Sequence, residues 1–162
     1  MKQLLQQYAA YNTWANKRII ETASLLSQEQ LDTEIISSFP SLYKTMLHLI
    51  EVENSWWERL QLAERTTSSG WFTGSFTDLS KKLLSLSQQW QNWVQNANEA
   101  NITHVFAYQN TKKEHFKQPV YEMLLHLFNH QTFHRGQLVM MFRQLGLDKI
   151  PPTDFIVFSR KK

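Results

Sequence analysis

His130 and His134 lie four residues apart in a long stretch of helical periodicity. Four residues make slightly more than one helical turn, so both imidazoles leave the same face. Two nitrogens so placed can ligate one divalent ion. The spacing alone also suits two ordinary helix histidines, one bonded in the core and one at the surface. Their surroundings are more informative. Met123, Leu127, His130, His134, Leu138, Met141 and Leu145 follow one stripe. Solvated histidines belong on a polar face, and these two occupy core positions.

His48 stands in a second helical stretch, residues 42 to 62. There Leu42, Met46, Leu49, Ile50, Glu53, Trp57 and Leu60 mark one face, and His48, Val52, Ser55 and Trp56 a neighbouring one. Apolar residues nearly encircle this helix, which predicts deep packing. A buried neutral imidazole needs partners for both ring nitrogens. A metal on one and an oxygen acceptor on the other would meet that need; a satisfied core histidine would too. His126 extends the series upstream, but each four-residue step drifts by about 40°. It therefore suits an edge or supporting role. His104 and His115 fall in a strand-like segment and read as exposed hairpin residues.

Four helical stretches must position these groups. The first, residues 3 to 26, carries Leu4, Tyr8, Tyr11, Ala15, Ile19, Thr22 and Leu26 on one stripe, with Asn12 and Asn16 close by. These asparagines either fill polar gaps in the core or reach the metal site. Ser27 to Gln30 forms a capping box opening a short turn, and Ser41 can cap the second helix. Residues 63 to 76 form a loop with Trp71 and Phe72 as apolar anchors. A capping box at Ser75 to Asp78 opens the third helix, where Leu79, Leu83, Leu86, Trp90, Trp93 and Ala97 face inward. That helix carries no obvious chemistry.

Ile102, His104, Phe106 and Tyr108 alternate as a strand would, and residues 114 to 118 can return as its partner. Pro119 opens the fourth helix, and Gly146 closes it near Leu145. After Pro151 and Pro152, residues 153 to 158 form an apolar tail that packs back on the bundle. The expected fold is all-α, a single domain over residues 1 to 162. It is an up-down four-helix bundle with a small β-hairpin between its third and fourth helices.

Composition narrows the function. With 42% hydrophobic residues, 162 positions can bury one sizeable core. Without cysteine, thiolate ligands, disulfides and a cysteine nucleophile are excluded. The N-terminus lacks a signal-peptide core and no run is long enough to span a membrane, which predicts a soluble cytoplasmic protein. The net charge of +3 includes Arg160, Lys161 and Lys162 at the tail. No basic stripe lines a helix, so neither nucleic acid nor membrane is an expected partner.

The sequence resembles the DinB/YfiT-like metalloenzyme family, which is distinct from the similarly named DNA polymerases. The specific block runs from Leu124 to Gln137 and contains His126, His130, His134, Arg135 and Gly136. Supporting blocks are Tyr11 to Arg18, Leu47 to Glu53 with Trp56 and Trp57, and Pro151 to Ile156. The resemblance implies a bundle, often a homodimer, with a divalent metal held by His48, His130 and His134.

Three nitrogen ligands leave a coordination position open, as in catalytic rather than structural sites. Imidazole suits nickel or zinc, with iron and manganese further choices. The implied activities are hydrolysis and thiol S-transfer on a small molecule, with a low-molecular-weight thiol as one candidate reactant. A non-enzymatic, stress-related metal- or ligand-binding protein is the alternative. Glu51 is the candidate general base or supporting acceptor, or else a surface carboxylate; Asn129 and Gln137 are further candidate helpers. Gly136 reads as a close-packing point beside the site.

Overall fold

The computed structural model describes residues 1–61, 70, 72–110 and 112–160. In chain order the elements are α1 (Lys2–Ala23), α2 (Gln28–Asp32), α3 (Leu42–Leu60), α4 (Phe76–Asn96), α5 (Glu99–Thr103), β1 (Val105–Gln109), β2 (His115–Pro119), α6 (Val120–Gln144) and α7 (Phe155–Ser159). The long helices α1, α3, α4 and α6 form the bundle. The two strands pair as an antiparallel hairpin between α5 and α6. Trp71, Lys161 and Lys162, with most of the expected loop at 63 to 76, lie outside the described residues. Among those described, no helix is long and apolar enough to cross a membrane.

The caps form where short polar side chains precede apolar runs. Ser41 accepts from the Lys44 N–H, while Ser27 with Gln30 and Ser75 with Asp78 close reciprocal boxes. A third box, Asn98 with Asn101, starts α5 and draws Ile102 into a helix. The expected strand therefore begins later, at Val105. Gly146 follows α6 with φ +87°, the left-handed conformation that glycine adopts without strain.

The inward face of α1 keeps the middle of the expected stripe and departs from it at the N-terminal end. Leu4 is 59% exposed and Leu5 only 1%. Tyr11, Ala15, Ile19 and Thr22 are buried as expected, and the buried face widens to take in Leu5, Ala9, Asn12, Asn16 and Ala23. The helix stops at Ala23 rather than near Leu26. In α3, burial falls on one face, while His48, Val52, Ser55 and Trp56 are only half-buried. The expected encirclement was composition rather than packing. Val94 is buried on α4, with Trp93 half-buried beside it. The tail does return to the bundle: Phe155 meets Tyr8 and Tyr11, and Phe158 meets Tyr11 and Trp14.

The core comprises two apolar clusters. One joins the C-terminal half of α1, the N-terminal halves of α3 and α4, and the C-terminal half of α6. The other joins the N-terminal half of α1, the C-terminal half of α4 and the N-terminal half of α6. Thus α1 and α6 run one way and α3 and α4 the other. Tyr43 at the start of α3 bonds the Gly74 carbonyl before α4, and Trp57 meets Trp90 further along both. The bundle runs up-down-down-up, which corrects the simple alternation expected. Helix patterns reveal faces but not directions. Residues 61–75, at about 3.3 Å each when extended, are long enough to return the chain along the bundle.

Candidate metal centre

Helices α3 and α6 pack antiparallel at mid-bundle and bring three imidazoles together. His48 Nε2 lies 3.3 Å from His130 Nε2, which lies 3.2 Å from His134 Nε2. Among the described residues, these three form the one group of metal-ligating side chains whose atoms all lie within 4.8 Å of one another. The stripe on α6 supplies two of them one turn apart, and α3 offers the third from across the interface.

The spacing fits a divalent ion. Nitrogens about 2.0–2.1 Å from a metal at tetrahedral angles lie about 3.3 Å apart. Two unprotonated nitrogens at that distance turn lone pairs toward each other, an arrangement a cation would relieve. Burial is the main cause keeping the rings neutral; His134 and His130 further oppose protonation of His48, and His134 and His126 that of His130. His48 and His130 are lowered to about 4, and His134 is lowered too. The lone pairs are therefore available at neutral pH.

Surrounding groups fix the rings. His134 donates from Nδ1 to Gln137 Oε1 at 2.7 Å, leaving Nε2 free as a ligand. Gln137 Nε2 donates onward to Ser38 Oγ at 3.1 Å. Phe39 stacks on His48 with centroids 4.0 Å apart and meets His134 edge-on. His130 Nδ1 is buried with no hydrogen-bond partner among the described residues. His48 and His130 are half-buried while His134 is 4% exposed, so the site opens to one side.

The other candidates fall differently. Gln137 touches the site, whereas Asn129 accepts from the Tyr8 hydroxyl at 3.3 Å. The Glu51 carboxylate accepts from the Gly70 N–H. His126 is exposed and packs edge-on to Trp56, with its ring centroid 5.9 Å from that of His130. His115 is exposed on β2, as expected, whereas His104 is exposed but caps the C-terminus of α5, just before the hairpin. The Gly136 expectation is corrected: a Cβ there would meet nothing within 4 Å, and the residue faces outward. Its position is one of exposure rather than close packing.

Asn12 and Asn16 fill polar gaps in the core, the first of the two readings their positions allow, and the buried polar layer they belong to also takes in Ser87, Gln131 and Arg135, which the sequence pattern does not mark. Asn12 and Asn16 each turn their oxygen to Arg135 Nη1, at 2.7 and 2.9 Å. Their amide nitrogens face Glu53 Oε1 at 3.0 and 3.4 Å. Ser87 Oγ lies 3.0 and 3.1 Å from the two Glu53 oxygens. Gln131 Nε2 donates to the Leu49 carbonyl at 3.0 Å. All these residues are essentially inaccessible to solvent.

Burial pushes the Glu53 carboxyl up to about 7, against hydrogen bonds from Asn12 and Ser87 and the Arg135 charge. Arg135 is pushed down by the same desolvation. The asparagines thus fill a polar layer rather than ligate metal. One signal was present: Glu53 interrupts an otherwise apolar stripe.

The DinB family model matches residues 1–161. Protein DinB of Bacillus subtilis (strain 168) is 29% identical over 158 residues, covering 90% of this chain and 87% of that protein. The crystal structure of a DinB-like protein from Bacillus cereus ATCC 10987 has a TM-score of 0.71 at 20% identity. That match covers 91% of this chain and 94% of the other, and it establishes likeness of fold.

Proposed function

The chain belongs to the DinB family, and from that membership and its three-histidine cluster we propose a divalent-metal-dependent enzyme acting on a small molecule, as a hydrolase or a thiol S-transferase. The carrying observation is the set of Nε2 separations, 3.3 and 3.2 Å, in a donor set with no carboxylate. His48, His130 and His134 would hold the ion, with zinc or nickel preferred because imidazole suits both. A cation bound there would supply Lewis acidity to a water or thiol nucleophile.

The protein's own groups supply the rest. Gln137 holds the His134 ring in the tautomer that points Nε2 inward. Phe39 covers one face of His48, leaving the half-exposed side of the cluster for substrate. Exposed Leu125, Phe133 and Met140 along α6 support reading the protein as a homodimer. One observation favours the non-enzymatic alternative: Glu51, the candidate base, is engaged by the Gly70 N–H.

Calorimetric titration with Zn²⁺ and Ni²⁺, followed by assay of the loaded protein on thiols with epoxides and on esters and lactones, tests the proposal. Binding by wild type, its loss in His130→Ala, and metal-dependent turnover are expected. Equal binding by His130→Ala would refute the site. Tight binding without turnover on any of these substrates would favour the non-enzymatic reading.

A further inference from the structure

Between the two apolar clusters lies one hydrogen-bonded layer drawn from every long helix: Asn12 and Asn16 from α1, Glu53 from α3, Ser87 from α4, and Gln131 and Arg135 from α6. We propose that this layer is a positioning device for the three-histidine site, with Gln131 as the tether that fixes the axial register of α6 against α3. The inference rests on the metal-binding reading above and extends it to residues that touch no metal.

Leu and Met contacts are non-directional, so apolar helix faces tolerate sliding. A metal site does not. A slip of one residue moves a helical side chain by about 1.5 Å along the axis, against metal–nitrogen bonds of about 2.0–2.1 Å. Directional bonds between fixed partners are therefore needed close to the ligands.

The layer provides them. Gln131 follows His130 in sequence, and its Nε2 bonds the carbonyl of Leu49, the residue after His48, at 3.0 Å. A single cross-helix bond thus sits one residue from a ligand on each side. Arg135 follows His134, and its guanidinium bonds Asn12 and Asn16 on α1 at 2.7 and 2.9 Å. Asn16 also reaches Gln131 Oε1 at 3.4 Å, closing the layer on itself. Both helix-six ligands are therefore anchored by their next residue.

The charges also point beyond simple stability. Glu53 and Arg135 are 0% and 1% exposed and communicate through asparagine amides. Apolar residues of similar volume often serve a core at least as well as buried ions, and retained buried polar groups can instead specify register.

The test uses Co²⁺ as probe, with the wild-type chain, Gln131→Met and Gln131→Asn. Methionine matches the volume of glutamine without its donor, and asparagine keeps the amide but is one methylene too short. Leu49 lies within continuous helix, so its carbonyl keeps an intrahelical partner. Metal-free melting should fall by no more than about 4 °C in each variant. Co²⁺ affinity should fall by about 10- to 100-fold, the loss usual when a supporting contact of a ligand is removed. The visible Co²⁺ bands, which report coordination geometry, should shift.

Affinity and spectrum unchanged in both variants would overturn the proposal. So would loss of fold in both, which would make Gln131 an ordinary structural residue. Failure of the wild-type chain to bind Co²⁺, Zn²⁺ or Ni²⁺ would instead strike the reading beneath it.

Discussion

His134 donates from Nδ1 to Gln137 Oε1 at 2.7 Å, and this bond selects which ring nitrogen is free. Replacing Gln137 with Leu removes the acceptor and releases the tautomer. Zn²⁺ affinity should drop by about 10- to 100-fold. The half-buried glutamine contributes little packing, so urea unfolding of the metal-free protein should change little. An unchanged calorimetric affinity would show that the ring needs no such support.

Metal binding should appear as heat stability. A ligand at a hundred times its dissociation constant adds about 2.7 kcal/mol. In a chain of this size that raises the melting temperature by roughly 5–10 °C. Zn²⁺ should produce the shift in wild type and not in His130→Ala. An equal shift in both would place the ion elsewhere.

Two opposed titrations should shape stability against pH. His48 and His130 are depressed from 6.5 to about 4 in the folded chain. Between those values the unfolded chain binds more protons, so acidification through this window destabilises the metal-free protein. Glu53 is raised from 4.5 to about 7, so the folded chain binds more protons there and acidification stabilises it. The effects oppose each other between pH 4.5 and 6.5. In Glu53→Gln, metal-free melting temperature should therefore fall more steeply on acidification across that window than in wild type. Parallel profiles would mean that Glu53 titrates much as it does in the unfolded chain.

Arg135→Ala should be costly. Arg135 is 1% exposed, and its loss leaves Glu53 buried without a countercharge and two asparagine oxygens without their donor. Breaking such a buried arrangement costs about 3–5 kcal/mol. Urea unfolding measures it directly. A loss below about 1 kcal/mol would mean that water enters the layer to replace the guanidinium.

Much of this was legible in local pattern. His130 and His134 lie on a stripe of Leu and Met, so their inward placement follows from helical geometry. The boxes at Ser27 and Ser75 and the left-handed Gly146 follow from local chemistry. What escaped depends on pairing between distant residues. That α3 and α4 run the same way is a property of their connection rather than of either helix.

The positions of Asn12, Asn16 and Glu53 on or beside inward stripes hint at burial, but Arg135 looks like a surface residue by itself, and only the mutual contacts of the four justify burying them. The shift from Leu4 to Leu5 has the same origin, because the buried face of α1 extends beyond Tyr11, Ala15, Ile19 and Thr22 to include those asparagines. Gly136 erred the other way, since a glycine beside a site suggests close approach and this one faces outward.

The most direct test is anomalous diffraction from crystals grown with Zn²⁺ or Ni²⁺, recorded on both sides of the metal edge. One peak is expected, about 2.0–2.1 Å from Nε2 of His48, His130 and His134. A peak bound by other side chains, or none at this cluster in metal-saturated crystals, would contradict the account.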